Sequence, residues 1–102
     1  MAAFNGERYI GQQIESVLDQ TFAPSKILIN IDPSDDRTLS IVQKCSIKNP
    51  EIQILNANKR FGSAAANFIS LISSVDLKYM DYIALSDQDD IWKSDKLGKA
   101  IQ

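Results

Sequence analysis

Short β-branched segments alternate with amphipathic helical patterns along this 102-residue chain. Apolar residues spaced i, i+4, i+7 and i+8 from Ile10 predict a helix from about Glu7 to Gln20, with Asn5 as its N-cap. The run Lys26–Ile31 lacks strict apolar and polar alternation, as expected for a strand covered on both faces. Because strands separated by crossover helices pair in parallel with right-handed connections, we expect an α/β fold with a doubly wound, mostly parallel sheet and flanking helices.

The same alternation continues to the end of the chain and predicts one domain, residues 1–102. The further predicted elements are a helix carrying Leu39, Val42 and Cys45 that ends before Asn49, a strand Ile52–Leu55, a helix Ala64–Val75, a strand Asp81–Leu85 and a helix from an N-cap at Ser94 to Ile101. The first strand would be only the short tail Met1–Phe4, and the last helix stops before its usual length. We therefore expect the chain to be a piece of a larger protein.

The composition excludes several classes of function. A net charge of −2, a pI near 4.9 and the lack of a basic stripe argue against a nucleic-acid partner. Without histidine the chain cannot build the usual zinc sites or Ser-His and Cys-His nucleophile pairs, so any metal must be bound by oxygen. No apolar run approaches the ~20 residues of a transmembrane segment. The single cysteine, Cys45, permits no intrachain disulfide, which predicts a reducing, cytoplasmic location.

Polar residues follow each predicted strand at its carboxyl end. They are Asn5 after the first strand, Asp32 after the second, Lys59 and Arg60 after the third, and Asp87, Asp89 and Asp90 after the fourth. Ligands bind open parallel sheets at the carboxyl ends of the strands. We therefore expect these four clusters to share one rim.

The segment "SDQDDIW", Ser86–Trp92, places three carboxylates within four residues. Like charges this close are costly unless a cation or a hydrogen-bonding ligand lies among them. Asp87 and Asp89 would point the same way in an extended backbone and could together hold Mg²⁺ or Mn²⁺ against a diphosphate. The alternative is that these aspartates cap the next helix or lie in solvent. An EF-hand is excluded, because Trp92 stands where that loop needs glycine and no glutamate follows at its twelfth position.

The other candidate residues each have a functional and a structural interpretation. Asp32 could accept the imide N–H of a uracil or thymine ring, or it could form an Asx turn with Pro33. Lys59 and Arg60 could reach a diphosphate, or they could be a solvated basic pair. Trp92 fits a packing anchor better than a sugar-stacking platform, because aromatic side chains mainly supply buried area.

Four blocks of the chain together resemble a known family. They are "MAAFNGERYIGQQIESVLDQTF", "ILINIDPSDDRTLSIV", "NKRFGSAAANF" and "YIALSDQDDIWKSDKL". Their order and spacing resemble the GT-A glycosyltransferases of family 2, particularly bacterial rhamnosyltransferase-like members. The resemblance implies inverting transfer of a sugar from a UDP- or dTDP-sugar donor to a glycan or lipid-linked acceptor in cell-surface polysaccharide synthesis. It also implies a cytoplasmic location, with the full protein bound peripherally at the inner face of the membrane.

The resemblance further implies roles for individual residues. A divalent metal, Mn²⁺ or Mg²⁺, would be held at Asp89 with the assistance of Asp87 and Asp90. The set that binds the nucleotide sugar would be Ala3, Phe4, Asn5, Asp32, Lys59, Arg60, Asn67 and Asp87. The family usually has two acidic residues and a glycine where this chain has Ile31, Asp32 and Pro33, so one contact to the nucleotide would be missing. The family's general base lies further along the chain, so we expect a donor site without turnover.

Two other classes of function stay open on the sequence. A signalling receiver domain also places carboxylates around Mg²⁺ at the strand ends of a doubly wound sheet. It would need a phosphoacceptor aspartate after its third strand, where this chain has Asn56 and Ala57. A non-catalytic interaction module would leave the acidic cluster solvated.

Overall fold

The computed structural model describes residues 1–76, 78 and 82–101, which alternate between strands and helices. The strands are β1 (Ala2–Ala3), β2 (Ile27–Ile31) and β3 (Ile52–Asn56), and the helices are α1 (Ile10–Leu18), α2 (Thr38–Lys48), α3 (Ala64–Ser73) and α4 (Lys96–Ile101). A membrane-spanning helix is absent from this described part of the chain, where the longest helix, α2, has 11 residues.

The three strands form one parallel sheet in the order β1-β2-β3. Helices α1 and α2 contact each other, and α3 contacts β1 and β2. Right-handed crossovers from β1 to β2 and from β2 to β3 place α1 and α2 on one face of the sheet. Helix α3, which follows β3 and returns to contact β1 and β2, covers the other face. The predicted α/β fold with a parallel sheet and flanking helices is confirmed.

The core lies around the central strand β2. Ile29 and Ile31 are buried there, as the prediction of a strand covered on both faces requires. Trp92 is 7% exposed and belongs to the same core, which confirms the prediction of a packing anchor. Cys45 packs against this core, and burial raises the pKa of its thiol.

The prediction that Asn5 is the N-cap of the first helix is wrong. Helix α1 begins at Ile10, and its N-cap residue, Tyr9, makes no side-chain capping bond. Asn5 lies before the intervening turn with a φ of 45°, and its side-chain oxygen accepts a hydrogen bond from the Asp35 backbone N–H at 2.9 Å. Asparagine tolerates this left-handed backbone, so it ends the first strand with a turn that contacts a distant loop.

The prediction of a fourth strand also fails for the residues that the structure describes. Asp81 lies outside the described residues, and Tyr82–Leu85 form no strand and are exposed. A single parallel bridge joins Ala2 to Asp87. Because β1 is only two residues long, it offers too short a ladder for a neighbouring strand.

The prediction that Ser94 is the N-cap of the last helix is wrong, because Ser94 is not the residue directly before that helix. Helix α4 begins at Lys96, two residues after Ser94. The Ser94 carbonyl instead accepts a hydrogen bond from the Thr21 backbone N–H at 2.8 Å. Ser94 therefore joins the backbone just after the segment Ser86–Trp92 to the loop that follows α1.

The Asp36 carboxylate fixes the starts of two helices. Its Oδ1 accepts hydrogen bonds from the backbone N–H and the hydroxyl of Thr38, and its Oδ2 accepts one from the Glu7 backbone N–H at 3.1 Å. Desolvation opposes ionisation, but these hydrogen bonds from Thr38 and Glu7 outweigh it and lower the pKa of Asp36 below its usual 3.8.

We expect Asp36→Ala to lower the free energy of unfolding by about 1–2 kcal/mol at pH 7, because it removes acceptors for N–H groups before α1 and at α2. The neighbouring Asp35→Ala is the matched control and should change stability by less than about 0.5 kcal/mol. Since the folded pKa lies below 3.8, the ionised carboxylate stabilises the fold above that pH, and this contribution is lost as the pH falls through the folded value. Urea denaturation at pH 7 and pH 3 measures both effects. Equal stabilities for the two variants would contradict this role.

Candidate functional site

A cavity of about 460 Å³ lies at the carboxyl ends of β1 and β2. Its walls come from four parts of the chain: Ala2–Phe4, Asp32, the segment from Arg60 to Asn67, and Asp87–Asp89. This is the edge of a parallel sheet where ligands bind. Members of three predicted clusters, Asp32, Arg60 and the pair Asp87 and Asp89, therefore share this cavity, whereas β1 and Phe4 take the place predicted for Asn5.

Asp32 joins three of these walls. It is 7% exposed, and its backbone N–H donates to the Ala3 carbonyl at 2.9 Å. Its Oδ2 accepts hydrogen bonds from the backbone N–H groups of Phe61 and Gly62 at 3.1 and 3.0 Å, and its Oδ1 accepts one from the Asn67 side-chain amide at 3.2 Å. A buried carboxylate needs such partners, and these three donors tie the loop before α3 to the end of β2.

Gly62 and Asn67 show why this loop fits Asp32. Gly62 has a φ of 84°, a left-handed conformation that glycine adopts without steric cost, and there its N–H faces the carboxylate. The Asn67 amide nitrogen also donates to the Asn30 carbonyl at 3.3 Å, so both of its protons face acceptors. The Asn67 Oδ1 atom is buried without a partner in the described residues, which leaves one acceptor in a residue that lines the cavity.

A stripe of polar side chains on and just after α1 holds in place the segment Ser86–Trp92, which is called the acidic segment below. The Gln13 amide donates to the buried Ser86 hydroxyl at 2.9 Å, and the Ser16 hydroxyl accepts from the Trp92 backbone N–H at 3.1 Å. The Gln20 side-chain nitrogen donates to the Lys93 carbonyl at 2.7 Å, and its side-chain oxygen accepts from the Leu97 backbone N–H at 2.9 Å. These side chains anchor the segment on both sides of its aspartates.

The sequence prediction missed this polar stripe. Gln13, Ser16 and Gln20 recur at i, i+3 and i+7, directly beside the apolar stripe of the same helical pattern. Gln13 is fully buried, so it belongs to the inner face of α1 rather than to its solvent face. Uncharged polar residues at helical spacing next to an apolar face were the available signal.

The predicted site residues divide into those that line the cavity and those that do not. Lining it are Ala3, Phe4, Asp32, Arg60, Asn67, Asp87 and Asp89. The residues that lie elsewhere are Asn5, which bonds to the loop after β2, Lys59, whose amine lies 5.6 Å from the centre of the Phe61 ring, and Asp90, whose carboxylate lies 3.7 Å from the Lys96 amine. The cavity therefore gathers acidic, basic, amide and aromatic side chains from all four walls.

Two carboxylates, Asp87 and Asp89, are available for a cation at this cavity. Within residues 1–76, 78 and 82–101 no group of three or more acidic or cysteine side chains is placed to hold a metal ion. Magnesium and manganese are typically bound by one or two carboxylates, with substrate phosphates and water completing the shell. The donor set fits a cation that arrives with a phosphate ligand.

A second cavity of about 460 Å³ has a different character. Its lining is mainly apolar and includes the exposed side chains of Phe22, Ile72, Tyr82 and Leu85. Such a surface offers few groups that could bind a diphosphate. The polar cavity at the strand ends is therefore the candidate site.

Curated relatives match nearly the whole chain. The dTDP-rhamnosyl transferase RfbG of Shigella flexneri is 44% identical over 102 residues, which are 99% of this chain and 35% of that protein. The UDP-Glc:alpha-D-GlcNAc-diphosphoundecaprenol beta-1,3-glucosyltransferase WfgD of Escherichia coli is 35% identical over 103 residues, covering 99% of this chain and 38% of that protein. The chain thus spans little more than a third of the length of these relatives.

A solved structure shares the fold. The crystal structure of S. aureus TarS 1-349 in complex with UDP superposes with a TM-score of 0.75 at 22% identity, covering 98% of this chain and 29% of that one. This likeness confirms the predicted GT-A-like architecture. The sequence model described as "Glycosyl transferase family 2" matches residues 1–102. The chain therefore belongs to glycosyl transferase family 2.

Proposed function

We propose that this chain binds the donor nucleotide sugar in a metal-dependent, inverting glycosyltransferase. The observation that carries this proposal is the single cavity in which Asp32, Arg60, Asp87 and Asp89 meet at the carboxyl ends of parallel strands. A nucleoside diphosphate combines a flat base, a hydroxyl-rich sugar and a charged diphosphate. The cavity presents side chains that match the base and the diphosphate.

The base and its sugar would lie against the wall formed by β1 and Asp32. Phe4 lines the cavity with half of its surface exposed, so its ring is free to contact a base. The Asp32 carboxylate accepts from three donors in the part of the chain that the structure describes, and a carboxylate offers about four acceptor positions. One position on Asp32 thus stays available for the imide N–H of uracil or thymine.

The diphosphate would lie between Arg60, the start of α3 and the aspartates. Arg60 supplies a positive charge, and Ser63 and Ala64 at the start of α3 line the same cavity. The N-terminus of a helix favours an anion through its free N–H groups and its dipole. Together these groups would hold the diphosphate beside Asp87 and Asp89.

Asp87 and Asp89 would hold Mn²⁺ or Mg²⁺. When bound, such a cation would neutralise the charge that develops on a diphosphate leaving group. We include Asp90 in the acidic set with a lesser role, because its carboxylate lies 3.7 Å from the Lys96 amine. Lys59 and Asn5 would support the cavity walls from outside.

The names of the relatives support a UDP- or dTDP-sugar donor. One relative is a dTDP-rhamnosyl transferase, another uses UDP-Glc and a diphosphoundecaprenol acceptor, and the fold neighbour was crystallised with UDP. We extend this donor class to the present chain, with a glycan or lipid-linked acceptor in cell-surface polysaccharide synthesis. The general base would lie outside these 102 residues, so the chain alone would bind donor without turnover.

We expect the chain to bind UDP or dTDP in the presence of Mn²⁺, and Asp89→Ala to weaken this binding roughly 10- to 100-fold. The reason is that Asp89 is one of two carboxylates available for the cation at the cavity. Asp90→Ala should weaken binding less than Asp89→Ala, because Asp90 is paired with Lys96. Isothermal titration calorimetry with each nucleotide measures these affinities.

Asp19→Ala is the matched control, because Asp19 is an exposed aspartate after α1. Binding that is absent from the folded wild-type chain, or equal in Asp89→Ala and Asp19→Ala, would contradict the proposed donor site. Unchanged melting temperatures with Mn²⁺ plus nucleotide would favour a non-catalytic interaction module, because a ligand that binds the folded state raises apparent stability.

We expect Asp32→Asn to lower the free energy of unfolding by about 1–3 kcal/mol. An amide nitrogen would then face N–H donors, either those of Phe61 and Gly62 or that of Asn67. Thermal or urea denaturation in the absence of ligand measures this loss separately from nucleotide binding. Asp19→Asn is the control, and a stability equal to this control would show that the Asp32 contacts contribute little.

A further inference from the structure

The Gln88 side chain docks on the backbone N–H and the backbone carbonyl of Phe4, the residue that follows β1. Its amide oxygen accepts a hydrogen bond from the Phe4 backbone N–H at 2.8 Å, and its amide nitrogen donates to the Phe4 carbonyl at 2.8 Å. A glutamine side chain carries the same amide group as the backbone. Gln88 therefore supplies the reciprocal pair of hydrogen bonds that a neighbouring strand would supply to Phe4.

Gly6 leaves the space that this docking needs. A Cβ atom at Gly6 would lie 2.4 Å from Oε1 and 2.8 Å from Cδ of Gln88, closer than side-chain atoms can approach. The positive φ values in the described residues belong to Asn5 and Gly62, so Gly6 is not held in the left-handed region. A side chain at position 6 would therefore displace the Gln88 amide from its place on Phe4.

Gln88 lies between the two aspartates of the candidate site. All three residues line the cavity. Hydrogen bonds from α1 hold the segment before and after them, at Ser86 and Trp92, and one parallel bridge to Ala2 holds the Asp87 backbone. Among the described residues from 87 to 91, Gln88 is the one whose side chain hydrogen-bonds to the sheet. Its contact thus fixes the middle of the acidic segment.

We propose that Gln88 is a positioning residue for the donor site. Its hydrogen bonds to the Phe4 backbone, in the space beside Gly6, hold the Asp87 and Asp89 carboxylates at the cavity. This inference rests on the proposed function, because it assigns the aspartates to a cation-bound diphosphate. It concerns the diphosphate end of the donor, because Gln88 hydrogen-bonds to the Phe4 backbone and the proposed base contacts come from the Phe4 ring and from Asp32. A role in folding alone would affect both ends.

Two different substitutions remove the docking contact. Gln88→Met keeps the size of the side chain but removes its amide, and Gly6→Ala displaces the Gln88 amide without altering Gln88 itself. The matched controls are Gln43→Met, an exposed glutamine on α2, and Gly11→Ala, where a Cβ would meet its nearest neighbour at an ordinary 3.7 Å. Circular dichroism and melting temperature establish that each variant is folded.

Two ligands distinguish positioning from a structural role. We expect Gln88→Met and Gly6→Ala each to weaken binding of dTDP or UDP with Mn²⁺ by roughly tenfold, the loss that one or two neutral hydrogen bonds can account for. Binding of metal-free thymidine or uridine, followed by NMR titration, should change less than about twofold. The double variant should bind no more weakly than the weaker single variant, because both changes remove the same contact.

The outcomes that overturn the inference differ from those that overturn the proposed function. If the wild-type chain binds no nucleotide with Mn²⁺, the donor site itself is refuted and the inference with it. If the wild type binds and Gln88→Met and Gly6→Ala bind like their controls, positioning by Gln88 is refuted and the donor site stands. Equal losses for nucleoside and diphosphate, or additive losses in the double variant, would also refute positioning.

Discussion

The buried Asp32 carboxylate is the interaction on which the rest of the site depends. A carboxyl group at 7% exposure needs hydrogen-bond partners, and the three side-chain donors found in the described residues come from residues 61–67. The same residue continues the parallel ladder through its N–H to Ala3. One residue therefore joins β1, through its backbone, to α3 and the loop before it, through its side chain, and the cavity lies between these elements.

The acidic wall of the cavity is held in a different way. A strand would place Asp87–Asp89 through backbone pairing, but in the described residues this pairing is limited to the bridge between Ala2 and Asp87. Side-chain amides and a hydroxyl from Gln13, Ser16 and Gln20 replace that pairing on one side, and Gln88 replaces it on the other. Such contacts hold a few points rather than a continuous ladder, so small changes in these side chains would alter the carboxylates that the proposed function assigns to the cation.

The sequence predicts those parts of the structure that depend on local burial. Strand β2 and helix α2 follow directly from apolar spacing. The rule that ligands bind at strand ends led to Asp32, Asp87 and Asp89, which line one cavity in the structure. Contacts between distant residues leave no periodic signal. The Gln88 to Phe4 bonds span 84 positions, and the turning of Asp90 toward Lys96 depends on the path of the loop backbone. The apolar run before Ser86 resembles a strand, but its expected neighbour β1 has only two residues.

The most direct measurement is paramagnetic relaxation of backbone amide signals by Mn²⁺ in the presence of dTDP or UDP. The cation is proposed to sit between the Asp87 and Asp89 carboxylates, so line broadening should centre on residues 87–89 and extend to Phe4 and Arg60 across the cavity. Broadening should be weak at Asp36, another acidic group at a helix start. Broadening centred on Asp36 or Asp95, or broadening unaffected by the nucleotide, would contradict a cation held at the strand ends for a diphosphate.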